Sequence, residues 1–379
     1  MFRMVRPATA RYWERFTVLR FLPIPSSHGS VRGAVSLTAM RALVVVNPAA
    51  TSTSAKMRNV LVGALASELK LDVVETGHRG HARELGEQAA ADGVDLVVSV
   101  GGDGTVNEVV NGLLANGPAP QLPMLAVVPG GSTNVFSRAL GRSRDPVEAT
   151  AEILASLRAG RTRLVSLGTA SATGTSTAPV RGTDPGIAAK VAAVDAAAHD
   201  GWTAQRWFVF AAGLGFDAEV IARVESHRAS GRRSTGALYV REATSAFLLG
   251  RERRRPAMTM HLPGEPPLEE LFLCLVSNVS PWTYLGARPV NPSPEASFDT
   301  GLDVFAMGRM GAVRMLHTLR QTLAHRPDAW GRGVHRRHDL EELTVTAVRP
   351  QGWQVDGDHL GTATGLRVRH VPAALRVVA

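Results

Sequence analysis

Cysteine is almost absent from this chain of 379 residues, since Cys274 is the only one. A single thiol excludes a disulfide framework and a cysteine-rich metal site within the chain, so we expect a cytoplasmic protein. Cys274 lies in the apolar run Leu271–Val276. This position predicts a buried structural thiol rather than a nucleophile.

Long apolar runs and two common nucleotide-binding motifs are missing as well. No stretch of the sequence approaches the ~18 consecutive apolar residues of a membrane span, so we expect a soluble or peripheral protein. The sequence contains neither GxxxxGKS/T nor GxGxxG. These absences exclude a P-loop NTPase and the common dinucleotide-binding fingerprint.

Lysine is scarce although the chain is basic. Only Lys56, Lys70 and Lys190 are lysines among the 42 basic residues, and the formal net charge is +9. This charge favours attraction to an anionic surface or substrate, although GC-rich coding is an alternative origin of so much arginine. Because the sequence has no zinc-finger spacing, RNP-like aromatic motif or heptad-bearing basic helix, we expect no nucleic-acid partner.

Residues 1–40 differ from the rest of the chain. They contain six arginines and one glutamate, and aromatic residues alternate with basic ones between Tyr12 and Phe21. A short basic amphipathic helix on a membrane surface would have this pattern. We favour the alternative, a disordered basic extension that precedes the folded domains.

From Arg41 onward, short apolar runs alternate with helix-forming segments. The predicted strands are 43–46, 71–75, 94–100 and 124–128, and the predicted helices are 55–69, 80–92, 104–116 and a segment that begins at Asp145-Pro146. This alternation predicts a nucleotide-binding α/β domain over residues 41–165, with a parallel sheet and crossover helices. Ligands of such a sheet bind at the carboxyl ends of its strands.

After about Arg163 the alternation ends. Short β-rich runs with polar or proline-rich connections follow, and they predict a second, largely antiparallel β-rich domain over residues 166–379. Residues 169–200 are rich in alanine, threonine, serine and glycine. This composition predicts a flexible insertion.

The segment GGDGT follows the third predicted strand and opens a helix. Gly101, Gly102 and Gly104 carry no Cβ, so the backbone amides can approach a polyphosphate closely, and the helix N-terminus favours an anion. A carboxylate at Asp103 would repel bare phosphate. Its presence therefore indicates a bridging cation such as Mg²⁺.

The helix after GGDGT carries its own start signal. Thr105 and Glu108 have the spacing of a capping box. Apolar residues then recur at helical spacing until Gly117-Pro118. We expect these residues to fix the helix N-terminus next to the glycine loop.

Two further loops of small residues follow neighbouring strands. Asn47–Ser52 comes after the first strand and Pro129–Asn134 after the fourth. Either loop alone is most simply a turn, but together with GGDGT they would converge on one crevice around a polyphosphate. In this arrangement Asn47 would hydrogen-bond a loop or the ligand, and Ser132 would offer a hydroxyl to phosphate oxygens.

The order of these motifs resembles the diacylglycerol kinase catalytic domain family, which includes bacterial soluble lipid kinases and sphingosine and ceramide kinases. The matching segments are NP at 47–48, GGDGTVNEV from 101, PGGSTNVFSRALG from 129, ASFDTGLDV from 296 and VDGD from 355. The resemblance implies an α/β domain like that of NAD kinases and diacylglycerol kinases. It also implies a β-sandwich that helps to receive the lipid and to which the C-terminal strands return.

By this resemblance the first domain binds ATP. The residues so implied are Asn47, Pro48, Ala49, Ala50, Thr51, Thr76, Gly101, Gly102, Asp103, Gly104, Thr105, Val106, Asn107 and Ser132. The resemblance gives Asp103 a catalytic role in holding the Mg²⁺ that accompanies ATP. The first loop lacks the glycine that is usual in the family's NPxxG.

The resemblance also implies a general base in VDGD. The family commonly has VDGE and assigns the base role to its second acid, which favours Asp358, while Asp356 shares the candidacy. If the segment is a strand that runs into a turn, residues two apart point to the same side and both carboxylates face the crevice. A plain hairpin turn is the alternative.

A structural Mg²⁺ loop is the last implication of the resemblance. Its residues here would be Ser297, Asp299, Thr300 and Leu302. Thr300 stands where the family has an aspartate, with Asp299 one position early. Ser166 stands where relatives carry an acid.

Together these features predict an ATP- and Mg²⁺-dependent lipid kinase that acts on a diacylglycerol-like hydroxyl at the inner face of the cell membrane. A kinase for a sphingoid base or NAD, and a nucleotide-dependent lipid-binding protein with weak turnover, are the alternatives. Basic clusters at Arg223–Arg233 and Arg251–Arg255 favour an anionic membrane as partner. The sequence leaves open whether the protein forms a homodimer.

Overall fold

The computed structural model describes residues 19–21, 37–50, 54–176, 201–221 and 256–379. The chain divides into two compact units, Met1–Val165 with Ala373–Ala379, and Ser166–Pro372. The sequence predicts limits of 41–165 and 166–379, so the last seven residues belong to a different unit from the one expected. Residues 177–200 and both arginine clusters lie outside the described residues.

A parallel sheet forms the centre of the first unit. Its strands are β2 (Arg41–Val46), β3 (Lys70–Glu75), β4 (Leu96–Gly101) and β5 (Met124–Pro129), in the order β3-β2-β4-β5. β2, β4 and β5 are buried along nearly their whole length because their side chains are apolar on both faces. The predicted strands and parallel sheet are confirmed.

The predicted basic extension contributes one short strand to this sheet. β1 (Leu19–Phe21) pairs antiparallel with β3, with Leu19 opposite Val73. A single 3-10 turn, Leu37–Ala39, then leads into β2 and buries Leu37. The prediction of disorder differs from the structure at these residues, and the rest of 1–36 lies outside the described part of the chain.

Helices connect the parallel strands. They are α1 (Ala55–Ala66), α2 (His81–Ala91), α3 (Asp103–Leu113), α4 (Val135–Ala139) and α5 (Pro146–Arg158). The start of α5 has the predicted cap, because the Asp145 carboxylate accepts the amides of Val147 (2.8 Å) and Glu148 (3.1 Å) and Pro146 takes the first helical position.

The capping-box prediction for α3 is wrong. α3 begins at Asp103 with Gly102 at the N-cap. The Glu108 carboxylate instead accepts the amides of Gly80 (2.9 Å) and Ala82 (3.2 Å), where α2 starts. α2 and α3 pack so closely that a Cβ on Gly112 would lie 2.1 Å from the Arg83 carbonyl oxygen. Glu108 therefore reaches the neighbouring helix more readily than its own first turn.

The second unit is a strand-rich antiparallel assembly, as predicted. Its strands are β6 (Thr162–Thr173), β7 (Arg206–Phe208), β8 (Ala211–Gly215), β9 (Met258–His261), β10 (Leu268–Ser277), β11 (Thr283–Leu285), β12 (Arg288–Val290), β13 (Leu302–Gly308), β14 (Val334–Leu340), β15 (Glu342–Val355) and β16 (Asp358–Val378). The main path runs β16-β15-β8-β10-β13-β14. Apolar side chains of these strands form one buried core that includes Cys274, whose thiol is buried as expected.

The predicted insertion begins later than its composition indicates. β6 extends to Thr173, so residues 169–173 are strand rather than flexible segment. The glycine just before them is a packing requirement, because a Cβ on Gly168 would lie 2.0 Å from the Phe208 ring. A strand made of alanine, threonine, serine and glycine resembles a low-complexity linker when only its sequence is considered.

The last strand leaves the second unit at its end. Val377 of β16 pairs in parallel with Leu125 of β5, and the Arg142 guanidinium donates to the Val378 carbonyl (2.9 Å). Leu375, Val377 and Val378 are buried. Their apolar side chains thus complete the first unit, which corrects the expectation that all C-terminal strands return to the second.

One further helix, α6 (Ala312–Thr322), follows β13. None of the helices in the described ranges is long and apolar enough to cross a membrane.

Candidate functional site

Three loops meet at the carboxyl edge of the parallel sheet in the first unit. They follow β2, β4 and β5, which are neighbours in the sheet. The Gly130 amide donates to the Gly101 carbonyl (2.8 Å), and the Asn47 amide donates to the Val100 carbonyl (3.0 Å). The loops that the sequence predicts to converge are therefore adjacent.

The two glycine pairs contact each other through backbone atoms. A Cβ on Gly131 would lie 2.7 Å from the Gly102 Cα, and a Cβ on Gly130 would lie 3.0 Å from the Gly101 Cα. A Cβ on Gly104 would meet nothing within 4 Å. The glycines thus have two separate functions. Gly101, Gly102, Gly130 and Gly131 allow the loops to stack, while Gly104 leaves the space on one side of the stacked loops open.

Asn47 orders the first loop. Its Oδ1 accepts the Ala49 amide (2.9 Å), and its Nδ2 donates to the Thr105 hydroxyl (3.0 Å) at the start of α3. The side chain is therefore used to join the first loop to GGDGT. This supports a positioning function for Asn47 more than direct contact with a ligand.

The remaining residues of the first loop lie at the rim. Pro48 and Ala49 are exposed and Ala50 is half-buried, while Thr51 lies outside the described residues. Thr76 follows β3, and its amide donates to the Val46 carbonyl (2.8 Å). The described residues among these are at the same edge of the sheet as the glycine loops.

Asp103 connects the two glycine loops. Its carboxylate accepts the Thr133 hydroxyl (3.1 Å) and the Phe136 amide (3.2 Å). Burial raises the pKa of Asp103, and these hydrogen bonds oppose that rise. Each carboxylate oxygen keeps a lone pair beyond the bond it makes, so the group fits a cation that bridges the protein and a polyphosphate.

The start of α3 presents backbone rather than side chains to this edge. Thr105, Val106 and Asn107 are buried, and the Asn107 side-chain oxygen accepts from Asn111 Nδ2 (3.1 Å). Gly104 and Ser132 are exposed. Of the residues that the resemblance implies for ATP, the Val106 and Asn107 side chains therefore face the protein interior.

In the second unit, VDGD forms a two-residue hairpin turn. Val355 at the end of β15 pairs with Asp358 at the start of β16. Asp356 and Gly357 occupy the turn with positive φ values of 48° and 80°. The expectation that both carboxylates point to one side of a single strand is wrong, because a tight turn separates them.

Asp356 anchors the polypeptide before β8. Its carboxylate accepts the amides of Val209 (2.7 Å), Phe210 (2.9 Å) and Ala211 (3.0 Å). The side chain is buried. An acid engaged by three protein amides has a structural function that fully accounts for its presence.

Asn278 holds the same segment. Its Nδ2 donates to the carbonyls of Ser166 (3.0 Å) and Val209 (3.1 Å), and its amide donates to the Phe210 carbonyl (2.8 Å). Asn278 is completely buried. Ser166, where relatives carry an acid, thus takes part in this clamp through its backbone.

A buried acid that the sequence analysis did not identify lies behind the hairpin. The Gly357 amide donates to Gln354 Oε1 (3.0 Å), and Gln354 Nε2 donates to the Asp217 carboxylate (2.9 Å). Burial raises the pKa of Asp217 to about 7. An acid directly after the apolar run 207–216 was the available sign, because an ionisable group next to such a run is expensive to bury.

The implied structural metal loop does not gather its oxygens for a cation. The Ser297 carbonyl accepts both the amide (3.3 Å) and the hydroxyl (3.2 Å) of Thr300, and the Asp299 side chain is exposed. Leu302 lies in β13 with a buried side chain. Thr300 therefore closes the turn by itself where the family has an aspartate, and the residues present do not fit the structural Mg²⁺.

An ion-pair network flanks this turn. Atoms of Glu295, Asp303 and His338 lie within 4.8 Å of one another, and His338 Nδ1 is 2.7 Å from Asp303 Oδ1. The Arg336 guanidinium lies 3.6 Å from the Glu295 carboxylate and 2.7 Å from that of Asp328. Because Arg336 already pairs with Glu295 and Asp328, and His338 with Asp303, the network is accounted for without a metal ion.

Comparisons with known proteins agree with the motifs. Residues 41–170 match the model of the diacylglycerol kinase catalytic domain. The diacylglycerol kinase of Bacillus subtilis is 45% identical over 73 residues, which cover 19% of this chain and 23% of that protein. Sphingoid long-chain bases kinase 1 of Arabidopsis thaliana is 34% identical over 127 residues, or 31% and 16% of the two chains. These alignments span less than a quarter of either relative.

The fold agrees over a longer region. The crystal structure of a diacylglycerol kinase from Bacillus anthracis str. Sterne superposes with a TM-score of 0.58 at 18% identity, covering 89% of this chain and 96% of that one. At this identity the likeness shows a shared fold. Residues 41–170 carry the features of the diacylglycerol kinase catalytic domain, and the resemblance that the motifs indicated is confirmed.

Proposed function

We propose that the protein transfers the γ-phosphoryl group of ATP to a hydroxyl group of a lipid. The observation that carries this proposal is the stacked pair of glycine loops, with Asp103 between them and the open side at Gly104. This arrangement offers backbone donors and one carboxylate at a helix N-terminus, which suits a polyphosphate with its cation. The similarity of part of the chain to two lipid kinases supports it.

Each residue contributes binding, positioning or proton transfer. Mg²⁺, held at Asp103, would neutralise charge on the phosphate oxygens when bound. The amides at the start of α3 and the Ser132 hydroxyl orient the polyphosphate. Asn47 fixes the loops that carry these groups, through its bonds to Ala49 and Thr105.

We assign the general base to Asp358. Three amides hold Asp356 as an anchor, whereas Asp358 is half-buried at the start of β16. In the reaction the acceptor oxygen forms a bond to the γ-phosphorus as the bond to the β,γ-bridging oxygen breaks. The hydroxyl proton moves to the Asp358 carboxylate, and ADP leaves.

Diacylglycerol is the acceptor that we favour, with phosphatidic acid as the product. A sphingoid base is the second candidate, because the plant sphingoid base kinase matches a longer segment of this chain than the Bacillus subtilis protein does. We place the reaction in the cytoplasm at the inner face of the membrane. The net charge of +9 supports an anionic lipid surface rather than a neutral one.

The test is a transfer assay with the full chain. The protein is incubated with ³²P-labelled ATP, Mg²⁺ and separately with diacylglycerol, a sphingoid base or NAD, and the labelled products are separated by thin-layer chromatography. We expect label in phosphatidic acid. Label in NADP alone, or binding of ATP and lipid without any transfer, would overturn the assignment.

Asp103→Asn supplies the site-specific comparison. Loss of the cation-binding carboxylate should lower the transfer rate by about 100-fold or more, while Asp299→Asn, at an exposed aspartate of the second unit, should keep the parental rate. Equal rates for Asp103→Asn and the parental protein would place the cation elsewhere.

A further inference from the structure

α6 has its apolar side chains on the outside. Val313 is 84% exposed, Leu316 70% and Leu319 41%. The residues that α6 buries are Thr318 and Thr322, on the opposite side. Because positions three apart share a helix face, the three apolar residues form one continuous outward stripe.

This arrangement is the reverse of an ordinary surface helix, which turns leucine inward and threonine outward. Trp330, which is 69% exposed, lies beside the same helix, where it hydrogen-bonds the Gln321 side chain. Contiguous exposed apolar side chains of this size mark an interaction surface. We call Val313, Leu316, Leu319 and Trp330 the α6 patch.

The charged groups beside the stripe of α6 are arginines. Arg309, Arg314, Arg320 and Arg326 are all exposed, and the sequence from 309 to 327 contains no aspartate or glutamate. The exposed Asp328, which precedes Trp330, is paired with Arg336. An apolar stripe rimmed by arginines is the pattern of a helix that lies in the headgroup region of an anionic bilayer.

We propose that the α6 patch docks the protein on an anionic lipid bilayer. The apolar stripe would enter the boundary between headgroups and acyl chains, and the arginines would contact lipid phosphates. A second copy of the chain is a poorer occupant, since two such faces would bring like charges together. The proposal rests on the proposed function only in naming a lipid surface as the partner.

Vesicle sedimentation without ATP tests the docking surface. The full chain is mixed with vesicles of phosphatidylglycerol and phosphatidylcholine, or of phosphatidylcholine alone. We expect strong binding to the anionic vesicles and at least about ten-fold weaker binding for the double variant Val313→Asp, Leu316→Asp. Val348→Asp is the matched control, because Val348 is 89% exposed on β15 outside the patch.

Two further readouts separate the outcomes. Circular dichroism establishes that each variant is folded, and light scattering gives its mass. Unchanged vesicle binding of the double variant, or equal loss with Val348→Asp, would overturn the proposal. A change from dimer to monomer with unchanged vesicle binding would assign the patch to a second copy.

The transfer assay distinguishes this proposal from the proposed function. With a short-chain lipid dispersed in detergent, the double variant should keep the parental kinase rate, since no bilayer is needed. Because sedimentation requires no catalysis, a protein that binds vesicles through α6 but transfers no phosphate would retain the docking surface and lose only the kinase assignment.

Discussion

Asp103 in the first unit and Asp356 in the second are both acids in glycine-containing turns, yet the protein holds them differently. Asp356 is buried and accepts three backbone amides. Asp103 is half-buried and lies beside the exposed Gly104, with hydrogen bonds from the Thr133 hydroxyl and the Phe136 amide. The exposure of a carboxylate, more than its place in a motif, separates an anchor from an acid that a ligand can reach.

The largest expected effect tests the anchor. Asp356→Ala leaves the amides of Val209, Phe210 and Ala211 buried without an acceptor, at a cost of about 1–3 kcal/mol each. We expect the unfolding free energy to fall by several kcal/mol in urea titrations. Asparagine tolerates the positive φ and keeps one acceptor oxygen. The unfolding free energy of Asp356→Asn should therefore lie between those of Asp356→Ala and the parental protein. Equal stability of Asp356→Ala and Asp358→Ala would contradict the comparison.

A second effect comes from the acid behind the hairpin. Burial raises the pKa of Asp217 to about 7 from an ordinary value of 3.8. The folded protein therefore keeps a proton that the unfolded chain releases, so this group lowers stability progressively as the pH rises from about 4 to about 7, and fully above that.

Asp217→Asn removes this titration and keeps an acceptor for Gln354. Relative to the parental protein, the variant should gain stability between pH 5 and pH 8, by up to about 3 kcal/mol. Urea midpoints at the two pH values measure the difference. A relative stability that is constant with pH would mean that Asp217 ionises normally.

A third effect tests the acid assigned to proton transfer. Asp358→Asn should lower kcat by about 100-fold or more with little change in ATP affinity, because a general base acts in the transition state. Asp358→Glu restores the carboxylate and should keep most of the activity. Parental kcat in the Asn variant would return the candidacy to another acid.

The smallest expected effect sharpens the view of the first unit. Gly131→Ala would place a Cβ 2.7 Å from the Gly102 Cα, so the glycine loops must separate, and ATP affinity should fall by about ten-fold. Gly104→Ala adds a Cβ in open space at an ordinary helical position. The ATP affinity of Gly104→Ala, measured by titration calorimetry, should change less than that of Gly131→Ala.

The first unit could be predicted largely from local patterns. β2, β4 and β5 are apolar runs that each end in a loop of small residues, and a parallel sheet brings such ends together. The partner of Glu108 could not be predicted, because it depends on how closely α2 approaches α3. That approach is set by Gly86 on α2 and Gly112 on α3, where a Cβ would meet backbone atoms of the facing helix, and the sequence does not show that these two glycines face each other.

The second unit was harder to predict because its contacts join distant residues. Asp356 bonds residues about 146 positions away, and Gln354 bonds Asp217 across 137 positions. The sequence shows that VDGD contains two acids, and only the turn geometry shows that they separate. The basic strand β14 and the outward leucines of α6 also break the patterns from which strands and helices are predicted.

The parallel strand that Val377 forms beside β5 has a consequence for biosynthesis. During translation the segment 41–165 emerges first and can begin to fold, but the edge of β5 stays uncovered until residues 373–379 have left the ribosome. The first unit is therefore completed only after the chain of the second unit has been made. A prematurely terminated chain would carry every glycine-loop residue and still lack the strand that closes the sheet.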